Sequence, residues 1–105
     1  MTTRNGLLVH EECEYTVVDM TTNTVTLNTG PTLLMGIYVN IVLSANACDI
    51  ENVAGTPALT LPASLGAGTN IECHGMFFPD ALIVNPADAA ASGQILVLWR
   101  KVNPD

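Results

Sequence analysis

Positive charge is the scarcest property of this chain. Its 105 residues include only Arg4, Arg100 and Lys101 as cations, against 10 carboxylates, for a formal charge of −7. Proteins that grip nucleic acid neutralise phosphates with many lysines and arginines, so DNA and RNA are excluded as direct partners. Long apolar runs are missing too. A helix that crosses a bilayer needs roughly 18–20 uninterrupted apolar residues, and Asn40, Gln94 and Arg100 break the greasiest segments. That argues against a membrane protein. The opening "MTTRNGLLVHEECEY" has one arginine followed by an acidic cluster. It lacks the apolar stretch of a signal peptide, so the chain is expected to be made and kept in a cytoplasm unless lysis releases it. The cysteines are Cys13, Cys48 and Cys73. An odd count without an export signal argues against a disulfide framework. Free thiols that behave as small core hydrophobes are expected instead.

Charge of either sign is low, at 12% of residues, where ordinary domains carry roughly 25%. Hydrophobic residues reach 49% and mean hydropathy is +0.37. Area scaling for this mass gives a folded surface of about 5,700 Å², with about 65% of the open chain's surface buried. One domain, residues 1–105, with one modest core is expected. The apolar content exceeds what such a core requires, so the chain is expected to bury surface against other chains, first of all copies of itself.

Short runs of β type alternate with turn residues. They are "EYTVVDM", "NTVTLNTG", "LLMGIYVNIVLSA", "CDIENV", "PALTLPA", "NIECHGMFF", "ALIVNP" and "QILVLWRKV". Between them stand Gly, Pro and Asp clusters that suit turns. About eight short strands at this spacing predict an all-β, antiparallel β-sandwich or jelly roll. Helix is expected for a single turn at most, in "PADAAASG" or "LPASLGAG".

A sandwich strand normally wets one face. "QILVLWRKV" does not: Ile95, Val97 and Trp99 lie on one side, and Leu96, Leu98 and Val102 on the other. The period-two reading assigns Ile37, Val39, Ile41, Phe77, Ile95 and Val97 to the core. It assigns Tyr38, Met76, Phe78, Leu96 and Leu98 to contacts with partners. A register step of one residue would exchange the two sets. The polar start, residues 1–6, reads either as a flexible arm that reaches a neighbour or as a frayed terminus.

Catalytic patterns are weak. His10 with Cys13, and Cys73 with His74, do not have zinc-site spacing, and adjacent strand residues face opposite ways. The carboxylates of "HEECE" and "CDIEN" lack the glycine-containing calcium loop. Ser64 in "PASLGAG" lacks the glycine two residues earlier that a nucleophile elbow needs. Ser44, Ser64 and Ser92 read as turn residues. Sugar binding would favour exposed aromatic platforms, and one Trp, two Tyr and two Phe make few. No enzyme activity, cofactor or metal is expected.

Three stretches carry a resemblance: "GPTLLMGIYVN", "LPASLGAGTNIECHGMFFPDALIV" and "SGQILVLWR". A strand opened by Gly-Pro, a Gly-rich turn into a strand, an "FF-x-x-A-L-I-V" hairpin and a terminal strand ending in Trp-Arg follow in that order. Over residues 29–101 this resembles small virion structural proteins of tailed bacteriophages, in particular capsid decoration (cement) proteins with a jelly-roll-like fold. The resemblance implies a non-enzymatic homotrimer. It would sit on the capsid exterior where subunits of the major capsid protein meet, and stabilise the shell. It also implies assembly in the cytoplasm of a bacterial host. The alternative is a phage tail-fibre or spike module that recognises a host surface.

Overall fold

A computed structural model describes residues 13–21, 24–45, 47–86 and 92–102. The expected arm at residues 1–6 lies outside them, as does most of "PADAAASG". The described residues form eight strands: β1 Glu14–Asp19, β2 Val25–Thr29, β3 Thr32–Ile41, β4 Cys48–Val53, β5 Thr56–Leu61, β6 Asn70–Phe78, β7 Ala81–Pro86 and β8 Gln94–Lys101. No helix occurs among the described residues, and "LPASLGAG" is the end of β5 followed by two turns.

The strands make two four-stranded sheets, ordered β1-β8-β3-β6 and β2-β7-β4-β5. Every neighbouring pair is antiparallel. The pairing follows one rule. The β4–β5 hairpin is the tip, and β3–β6, β2–β7 and β1–β8 extend it outward as successive pairs of one long hairpin. Rolling that hairpin brings β3 beside β8 and β4 beside β7. The result is a β-sandwich with the strand order of a jelly roll.

The inner faces supply one core. Val18, Ile95 and Val39 form a cross-strand row, Val97 and Ile37 a second, and Trp99 and Leu34 a third. Leu82 and Val84 from β7, Cys48 and Ile50 from β4, Leu61 from β5 and Phe78 from β6 belong to the same cluster. Each large aliphatic or aromatic side chain so buried contributes roughly 1.5–3 kcal/mol. Trp99 brings a polar atom into this layer, and its indole Nε1–H donates to Thr16 Oγ1 at 3.0 Å.

Two bulges correct the expected faces. In β3 the register slips between Leu34 and Gly36, so Met35 is an extra residue. Opposite it, β6 passes from Glu72 to Met76 through Cys73, His74 and Gly75. His74 (φ 54°) and Gly75 (φ 74°) take left-handed conformations to do so. A bulge moves every later side chain to the other face. Phe78, expected at a partner contact, is therefore buried in the core, and Phe77, expected in the core, is 57% exposed. Met76, also expected at a partner contact, pairs with Leu34 on the inner-face register and keeps partial exposure at the edge of the sheet. The second slip, between Val39 and Ile41, turns Ile41 outward. Ile37, Val39, Ile95 and Val97 occupy the core as expected.

Candidate interaction surface

The two outer faces of the sandwich differ in chemistry. On the β2-β7-β4-β5 sheet the outer face is a network of paired polar groups. Thr60 Oγ1 donates to Asp49 Oδ1 at 2.9 Å. Asn85 Nδ2 donates to Glu51 Oε2 at 3.0 Å, and the Gly55 amide donates to Glu51 Oε1 at 3.1 Å. Thr24 Oγ1 donates to Asn85 Oδ1 at 2.9 Å. Glu51 is buried, and both its carboxylate oxygens accept, as a buried charge requires. This face uses its own groups on each other.

The outer face of the β1-β8-β3-β6 sheet carries an apolar patch beside a polar row, in which Gln94 Nε2 donates to Asp19 Oδ1 at 2.8 Å and Asn40 Nδ2 donates to Gln94 Oε1. Register aligns Val17, Leu96 and Tyr38 in one row across three strands, and Tyr15, Leu98 and Gly36 in the next. Tyr15 is 68% exposed and Val17 57%, while Tyr38 is 39% exposed. Leu96 and Leu98 are half-buried. Further along, Leu33 pairs with Phe77 on the same face. Two neighbouring rows across three adjacent strands form one patch, and apolar patches of this kind mark interaction sites.

Of the residues expected to meet partners, Tyr38, Leu96 and Leu98 thus come together on this face. Phe78 and Met76 do not. Tyr15, Val17 and Phe77 belong to the patch and were not expected there. The alternation of Tyr15 and Val17 in "EYTVVD" is a visible signal, but it points to a face only once β1 is known to pair with β8.

A cleft of about 290 Å³ interrupts the patch, lined by Met35, Gly36, Asn70, Ile71, Glu72 and Leu98. Its cause is local. Gly36 pairs with Leu98 on one side and Glu72 on the other, so the central strand carries no side chain between two that do. The nearest heavy atom to a Cβ placed on Gly36 would be Ile71 O, at 3.3 Å.

The weak catalytic patterns separate in space. Cys73 packs against the core while His74 is exposed, and His10 lies outside the described residues. Among the described residues no three His, Cys, Asp or Glu side chains gather as a metal set. Burial pushes the Cys48 thiol up to about 12, with the charges of Asp49 and Glu51 adding to the effect. Burial also raises Cys73. A thiol held protonated is a poor nucleophile or ligand. Ser44, Ser64 and Ser92 tie loops together: Ser64 N donates to Ser44 O at 2.7 Å, and Ser44 N to Ser92 O at 3.1 Å.

What fold and surface define together is a jelly-roll-like β-sandwich with one hydrogen-bonded polar face and one face that carries an apolar patch. No family model, curated protein or solved structure matches the chain.

Proposed function

We propose that this chain is a non-enzymatic capsid decoration protein of a tailed bacteriophage. It acts as a homo-oligomer, a trimer by the family likeness, and binds the outside of the head through major capsid protein. The observation that carries this reading is the apolar row Val17–Leu96–Tyr38 beside Tyr15–Leu98 on the outside of an otherwise complete sandwich. The core is already filled by the inner faces, so this patch is surplus to the subunit's own folding. A scaffold of hydrogen-bonded strands with a flat adhesive face suits a protein that must fit a repeating lattice. Binding the assembled shell and not its free subunits stabilises that shell by mass action.

The test is to mix the purified protein with undecorated heads and measure occupancy. Saturation at a stoichiometry fixed by the lattice, with increased resistance of the shell to heat, is the expected result. Attachment to host cells without binding to heads would overturn the reading in favour of a fibre or spike module.

A further inference from the structure

We propose that the cleft at Gly36 is a socket for one basic side chain, a lysine or arginine, presented by the partner protein. The inference rests on the reading of this face as the docking surface, and it assigns the chemistry of the contact.

The socket has the two parts that such a side chain needs. Leu98 and Met35 supply apolar lining, the backbone of Ile71 closes the floor beside Gly36, and Asn70 and Glu72 supply polar lining. Long basic side chains lay their methylene stems along apolar surface and keep the charged head in a polar setting. The cross-strand row Leu98–Gly36–Glu72 reproduces that order: wall, floor, counter-charge. Size agrees. At about 290 Å³ the cleft lies at the lower end of small-molecule pockets and is open, which suits a protruding side chain.

Charge complementarity selects the occupant. The chain carries −7 overall, and the described structure shows no ion pair or hydrogen bond made by Glu72. Of the cations on this sheet, Arg100 stands on the outer face two residues beyond Leu98, where it pairs with Leu33, and Lys101 pairs with Thr32. A carboxylate beside the apolar rows opposes binding to an apolar or acidic partner surface and favours a basic one. It also disfavours a second copy of the same face, which would set two Glu72 carboxylates in one interface.

The test uses the isolated protein and a pair of probes that differ only in charge, N-acetyl-lysine methylamide and N-acetyl-norleucine methylamide. Amide chemical shifts are followed by two-dimensional NMR. The lysine probe is expected to shift Met35, Gly36, Asn70 to Glu72 and Leu98 with an affinity on the order of 10 mM, within the efficiency bounds for so small a ligand. The norleucine probe is expected to bind about fivefold more weakly, the span of a half-exposed ion pair. Glu72→Gln should remove that difference, and Gly36→Leu, which fills the floor, should remove binding of both. Equal affinity for the two probes, no localised shifts, or a preference that survives Glu72→Gln overturns the socket. Binding to heads is read separately. Heads that bind the Glu72→Gln protein at full strength refute the socket and leave the docking face standing, whereas localised lysine binding with no attachment to heads does the reverse.

Discussion

Asn85 on β7 reaches across to the buried Glu51 on β4 and donates from Nδ2 to Oε2 at 3.0 Å. With the Gly55 amide on the other oxygen, this contact satisfies both oxygens of a carboxylate buried within the polar outer face. Removing one partner of a buried pair exposes the full desolvation cost of the other. Asn85→Ala is expected to lower stability by about 1–3 kcal/mol, read as a shift in the urea midpoint at constant slope. An unchanged midpoint would mean that water replaces the amide without loss.

A second expectation concerns Gly93. Its φ is +109°, and a Cβ there would lie 2.6 Å from Val42 O and 2.9 Å from Leu43 Cα. Both obstacles are close to the backbone and cannot swing aside. Gly93→Ala should destabilise the fold by about 3 kcal/mol, the upper part of the usual overpacking range. Thermal unfolding of the variant checks this directly.

The β6 bulge can be probed at His74, which is exposed and left-handed at φ 54°. A β-branched side chain is far less tolerant of that conformation. His74→Val is expected to cost about 1–2 kcal/mol, while His74→Gly should cost nothing comparable. If Val and Gly variants melt together, the bulge is not held in this conformation.

Legibility in the sequence divided at these bulges. Period-two patterns placed all eight strands close to their observed bounds, because each run is short, β-branched and fenced by Gly, Pro or Asp. Faces were readable in β8, where Ile95 and Val97 went inward and Leu96 and Leu98 outward without a slip. They were misread in β6. The reading carried one parity through "NIECHGMFF", and the Cys73–Gly75 excursion reversed it, which exchanged Phe77 and Phe78. "HG" inside a strand is a bulge signal, but its extra residue cannot be counted without the register of β3. The cleft was not legible either, since it depends on Gly36, Leu98 and Glu72 meeting across three strands.

Alkaline pH supplies a further prediction through Cys48. Burial, then Asp49 and Glu51, raise its thiol from the ordinary 9.0 to about 12 in the fold. The folded state thus holds this proton more tightly than the unfolded chain does. The resulting contribution is complete below pH 9.0 and disappears as pH climbs through about 12. Urea midpoints should fall between these limits, and Cys48→Val should fall less steeply over the same range. At pH 8 the thiol should also resist iodoacetamide until the protein is unfolded.

Partner binding should separate from stability on the apolar face. Tyr15 and Val17 are exposed and stand on β1, at the edge of the sheet. Replacing both with Ser should change unfolding free energy by about 0.5 kcal/mol or less for each site. The same double variant should lose attachment to undecorated heads. Retention of full occupancy would place the contact elsewhere on the molecule.

The rolled-hairpin pairing also sets a timetable. The β4–β5 tip closes over the short Ala54–Gly55 link, whereas β1 must find β8, its most distant partner along the chain. Local closure is fast and distant closure slow, so Tyr15 and Val17 take their places beside Leu98 and Leu96 only when the C-terminal strand has been synthesised. Until β8 pairs, the two apolar rows do not exist, because Leu96 and Leu98 are the residues that join β1 to β3 in each of them.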